Sequence, residues 1–140
     1  MIVFRDEQGN ALLSMCDFKI TLYIGGANSQ FSSMIRFSNP NFQAFKDVTL
    51  YTDEFDRLIK QMSMMKENLV DCVDYTNLDG DFTLKIKSNH TDKLCVTSEL
   101  SYLSRDLARS VVTLQFSMPM YCIDDIISSY ATEMSLLKGK

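Results

Sequence analysis

Two features predict an α+β fold: a period-two alternation of apolar residues that recurs through most of the chain, and two segments where the spacing changes to that of an amphipathic helix. Counted along the chain, the alternating runs give six or seven strands in one antiparallel meander, with both helices packed on one face of the sheet. The 140 residues suit a single domain, 1–140, large enough to bury one core without staples or a metal.

The first runs, IVF and ALLSM, are weak strands. A clearer one follows, with Phe18, Ile20, Leu22 and Ile24 on one side and Lys19, Thr21 and Tyr23 on the other, and FSSMIRF carries Phe31, Ser33, Ile35 and Phe37 in the same phase. GGANSQ between them is a hairpin loop. NPNFQAF, residues 39–45, carries loop signals and leads through KDVTLY into the first helix.

In that helix, TDEFDRLIKQMSMMKEN, the residues Phe55, Leu58, Ile59, Met62 and Met65 form an inward stripe. Thr52 is the expected N-cap. Asp53, Glu54 and Asp56 lie in or next to the first turn, where the helix dipole favours negative charge, and Lys66 lies near the other end. The runs LVDCVDY, DFTLKIKS, DKLCVTSELSY and RSVVTLQFSM then continue the meander through short polar loops. The closing helix starts near Pro119, whose fixed φ suits a first turn, and carries Ile123, Ile126, Ile127, Tyr130, Met134 and Leu137 inward, with Gly139 beyond its end. The sequence shows no repeat, low-complexity segment or linker.

Composition narrows the function. Eighteen acids against 14 bases leave a net charge of −4, which disfavours the phosphate backbone of nucleic acids and favours a basic partner. No window is apolar enough for a membrane span, and the start, MIVFRDEQGNALL, lacks a basic leader and a cleavage site, so a cytosolic chain is expected. Cys16, Cys72, Cys95 and Cys122 are widely spaced, without a C-x-x-C pair, and are expected as reduced thiols rather than a zinc site or disulfide framework.

The stretch DYTNLDGDFTLKI raises calcium binding, but with Gly80 sixth in an EF-hand loop Tyr75 falls first and Ile86 twelfth, so two essential ligands are missing. TNLDG reads instead as a hairpin turn with a left-handed glycine. His90 lies in the polar loop KSNHTDK, Gly25 and Gly26 lack the lysine and helix of a phosphate loop, and Asp124 and Asp125 point about 100° apart on a helix. Met62, Met64 and Met65 fit core packing better than a binding groove. No enzyme activity, metal or cofactor is expected.

The succession of the acidic-start helix TDEFDRLIKQM, the runs LVDCVDY, DFTLKIKS, KLCVTSEL and VVTLQFSM, and the closing helix YCIDDIISSY resembles the small immunity proteins of bacterial polymorphic toxin systems. The likeness is to the WapI-like group and to immunity proteins of contact-dependent growth inhibition, over about residues 45–137. It implies a cytosolic, non-catalytic protein, monomeric in complex with its toxin, that binds and neutralises a cognate toxin domain and engages neither nucleic acid nor membrane; it carries over no individual residue.

A small domain holding a ligand between sheet and helices is the alternative, and an enzyme with an unannounced cleft a third. For a protein partner, chain reversal after the first helix gathers Asp53, Glu54, Asp56, Asp74, Asp79, Asp81 and Asp106 at one pole, partly offset by Arg105 and Arg109, as the expected binding surface for a basic toxin. Each of these acids also suits a purely local role as a cap or turn residue.

Overall fold

The computed structural model describes residues 1–23, 29–89 and 92–138, with Tyr23 and Lys138 described by backbone alone. Ile24–Asn28, which hold Gly25 and Gly26, and likewise His90 and Gly139, lie outside the described residues. The chain runs β1 (Ile2–Arg5), β2 (Ala11–Tyr23), β3 (Ser29–Asn39), β4 (Phe42–Tyr51), α1 (Thr52–Lys66), β5 (Cys72–Thr76), β6 (Phe82–Ser88), β7 (Lys93–Leu103), β8 (Arg109–Pro119) and α2 (Cys122–Lys138).

The class is α+β, but the single meander of six or seven strands is corrected. Among the described residues eight strands form two antiparallel sheets of four, β1-β2-β3-β4 and β5-β6-β7-β8. Four strands and a helix occur twice, an order that the unlike sequences of the two halves conceal. After β4 the chain leaves its sheet for α1, and β5 returns to pair with β6 alone, so the hydrogen-bonded ladder is broken there.

Three sequence readings fail for local reasons. ALLSM and FKITLY belong to one strand, β2, because Asp17 takes a left-handed φ of 53° and register shifts between Cys16 and Lys19. This bulge switches the inward phase from Leu13 and Met15 to Phe18; Ile20 and Leu22 share that phase but are exposed towards the end of the strand, where the register shifts again. Residues 42–45 are strand rather than loop. NPN supplies only a tight turn, in which Asn39 Oδ1 accepts hydrogen bonds from the Asn41 and Phe42 amides at 2.7 and 2.9 Å. Finally, Pro119 ends β8 opposite Lys93, and α2 begins only at Cys122.

Thr52 is also corrected. Tyr51 is the N-cap, without a side-chain cap bond, and Thr52 is the first helical residue, whose Oγ1 accepts the Ser29 amide at 2.9 Å and so ties the start of β3 to the helix.

The inward stripes of both helices are buried as their spacing requires, apart from the partly buried Ile127. α1 packs on β3 and β4 and reaches β5 of the other sheet, whereas α2 packs on β1 and β2, and the helices touch each other. One core therefore runs through both halves. Its centre is a chain of rings from five elements: Phe31 to Phe55 at 6.0 Å, Phe55 to Tyr75 at 6.3 Å, Tyr75 to Phe82 at 6.2 Å, and Phe55 to Tyr130 at 5.3 Å.

Candidate functional site

The β5–β6 turn is held by bonds to both sheets. Gly80 takes the left-handed φ of 73° expected for TNLDG. Asn77, almost fully buried, holds the turn from inside: its Oδ1 accepts the Phe82 amide at 3.0 Å, and its Nδ2 donates to Asp81 at 2.6 Å and to the Thr49 carbonyl of β4 at 3.1 Å. The turn is thus fastened to the edge of the opposite sheet.

Asp81 belongs to that fastening. Lys46 of β4 lies in the inward phase between Ala44 and Val48, and its Nζ donates to the Ser101 carbonyl at 2.7 Å, pairs with Asp81 at 3.1 Å and stands 5.5 Å from the centre of the Tyr102 ring. Tyr102 Oη in turn donates to the Phe45 carbonyl at 3.0 Å. An inward lysine on an edge strand, with its carbonyls capped by side chains, closes that edge to further pairing. Beside it opens a groove of about 420 Å³, lined by Lys46, Asp79, Asp81, Tyr102, Leu103 and Arg109.

On the other side of the turn, α1 and β5 enclose a groove of about 270 Å³, lined by Glu54, Arg57, Leu58, Gln61, Asp74, Tyr75 and Thr76. The helix spacing brings Glu54, Arg57, Leu58 and Gln61 to one side of α1, and β5 runs back along it. Glu54 Oε2 and Tyr75 Oη are both buried and have no hydrogen-bond partner among the described residues. Burial pushes the Tyr75 phenol far above its ordinary value, and the nearby Glu54 charge adds to that rise.

The acids predicted from sequence are therefore divided. Glu54 and Asp74 share the smaller groove, and Asp79 and Asp81 the larger. Asp53 and Asp56 are exposed on α1, and Asp106 is exposed in the loop between β7 and β8, in the lining of neither groove. Asp81 is taken up by Lys46 and Asn77. Sequence reasoning missed Lys46, Tyr102, Arg57, Gln61 and Tyr75; only Lys46 had a signal, its phase within Ala44, Val48 and Leu50 once 42–51 is read as a strand.

A third groove, of about 590 Å³, is lined by Glu7, Lys66, Asp92, Lys93, Met120 and Asp124, among others. Two ion pairs lie in it, Lys93 with Glu7 at 2.6 Å and Lys66 with Asp124. Among the described residues no three His, Cys, Asp or Glu side chains group as metal ligands, and no helix is long and apolar enough to cross a membrane. No family model, curated protein or solved structure matches this chain.

Proposed function

We propose that the chain is an immunity protein that binds and neutralises a cognate toxin domain in the producing bacterium. The observation that carries this reading is the pair of grooves on either side of the β5–β6 turn, which hold Glu54, Asp74, Asp79 and Asp81 against the bases Arg57, Lys46 and Arg109, with Asp53 and Asp56 exposed on the same helix as Glu54 and Asp106 exposed in the β7–β8 loop. An acidic surface of this kind steers a basic partner and adds specificity. The net charge of −4 and the resemblance to toxin-immunity proteins support it. A small ligand held between sheets and helices draws no support from the packing, because Phe31, Phe55 and Tyr75 fill that space.

The test is to express the toxin domain encoded beside this gene in a bacterial host, with and without the chain. Restored growth together with a stoichiometric complex on gel filtration is the expected result. Undiminished killing and no complex would sink the reading, as would a gene neighbourhood of metabolic enzymes without a toxin.

A further inference from the structure

We infer that the groove between α1 and β5 is a receptor for an arginine side chain of a protein partner, with Glu54 as its anion and Tyr75 as its inner hydrogen-bonding wall. The inference deepens the immunity reading and rests on it for the source of the arginine, though not for the chemistry of the groove. Two observations converge. The lining carries the carboxylates of Glu54 and Asp74 together with the Gln61 amide, a set rich in acceptors. Independently, Tyr75 is only 8% exposed, its hydroxyl is buried, and neither it nor the buried Glu54 Oε2 has a partner among the described residues.

A buried carboxylate oxygen and a buried phenol without partners cost stability, and folded proteins seldom keep them without a use. A guanidinium answers both. It brings a positive charge and five N–H donors in a flat fork, which can bind the Glu54 carboxylate in parallel and still donate to the Tyr75 oxygen. An ammonium also carries donors, but as a compact and strongly hydrated point charge without a flat fork, so the planar cation is the better fit to acceptors on two walls. Arg57, three residues after Glu54, is in the same lining and is itself exposed, so an incoming guanidinium meets a like charge at the groove as well as the two carboxylates.

The experiment titrates the full chain with Nα-acetyl-arginine amide, and in parallel with Nα-acetyl-norleucine amide as the uncharged control, while following backbone amide resonances. Saturable shifts centred on residues 54–61 and 73–76, with a dissociation constant in the range of about 1 to 10 mM, are expected for arginine alone. Glu54→Gln should weaken that binding by about tenfold or more. Tyr75→Phe should weaken it too, yet raise the melting temperature of the free protein by about 3 °C, because an unpartnered hydroxyl is removed.

That opposite movement of stability and binding separates a binding role from a structural one. Equal shifts with norleucine, no saturable shift up to about 50 mM, or unchanged binding in Glu54→Gln would overturn the inference. The two readings fail separately: a toxin neutralised by a chain that ignores the arginine probe ends the groove proposal alone, and probe binding without toxin binding ends the immunity reading alone.

Discussion

Replacing Lys46 by alanine tests the junction between the two sheets. The residue donates to the Ser101 carbonyl, pairs with the half-buried Asp81 and faces the Tyr102 ring. A hydrogen bond from a charged donor contributes about 1.5 kcal/mol at the low end of its range, which partial exposure makes appropriate here. The ion pair adds about 0.5 kcal/mol after solvent screening, and the ring contact a similar ~0.5 kcal/mol. The sum is about 2.5 kcal/mol, and with an unfolding entropy of about 2.1 cal/mol/K per residue the melting temperature should fall by about 8 °C.

Urea denaturation at neutral pH and calorimetry would measure it, with Lys60→Ala on the exposed side of α1 as the control. The double variant with Asp81→Asn should show a coupling of about 0.5 kcal/mol, the part of the loss that belongs to the pair. A change below about 0.5 kcal/mol in Lys46→Ala would refute the view that this lysine fastens the sheets, since that is the ordinary range for surface substitutions. Asp81→Lys should for the same reason damage folding, so Asp53, Asp56 and Asp79 are the better positions for testing charge at the acidic end.

Tyr130→Phe should stabilise the protein by about 1 kcal/mol, because its buried hydroxyl has no partner among the described residues while its ring contact with Phe55 is kept; a lower melting temperature would show that the hydroxyl is used. Asp6 accepts bonds from the Gln8 and Asn10 amides and from Asn10 Nδ2; burial pushes its carboxyl up, but the bonds from Asn10, Gln8 and Gly9 outweigh that and hold it below the ordinary 3.8. Its contribution is therefore present above about pH 4 and lost as pH falls through the depressed value, so urea midpoints between about pH 5 and pH 2 should fall more steeply in the wild type than in Asp6→Asn. Cys72 is exposed, whereas burial raises the thiols of Cys122, with Asp125 beside it, and of Cys16, with Asp17 beside it. Mass spectrometry after brief alkylation should find Cys72 labelled first and Cys122 last, and early labelling of Cys122 would contradict its burial.

Much of the fold was legible where one face of an element does one job. Both helices and the strands β6 to β8 follow directly from spacing, and TNLDG gave the turn through its glycine. Legibility failed where a residue serves a distant part of the chain. Lys46 breaks the apolar alternation of β4 because its charge is needed at Ser101 and Asp81, and Asp17 breaks that of β2 because it forms a bulge. Where a meander stops pairing is set by tertiary packing, so the division into two sheets had no local mark. At the acidic end, chain reversal does bring β5 back along α1. Which acids are already engaged depended on partners from another sheet, and the unpartnered oxygens of Glu54 and Tyr75 depend on burial that no spacing encodes.

The exchange of partners between the halves governs how the chain is made as well as how it is held. β1 and β2 are synthesised well before α2, the helix that covers them. Until then, sheet one waits with Ile2, Phe4 and Met15 uncovered on the nascent chain. Covering β1 and β2 consequently joins segments about a hundred residues apart, a slow class of closure because its loop entropy is lost before any contact repays it. A ribosome stalled before α2 would hold a sheet with a sticky uncovered face that invites chaperones, and a chain severed in the α1–β5 connection would yield two pieces each lacking part of its own roof, able to restore one another only by meeting again.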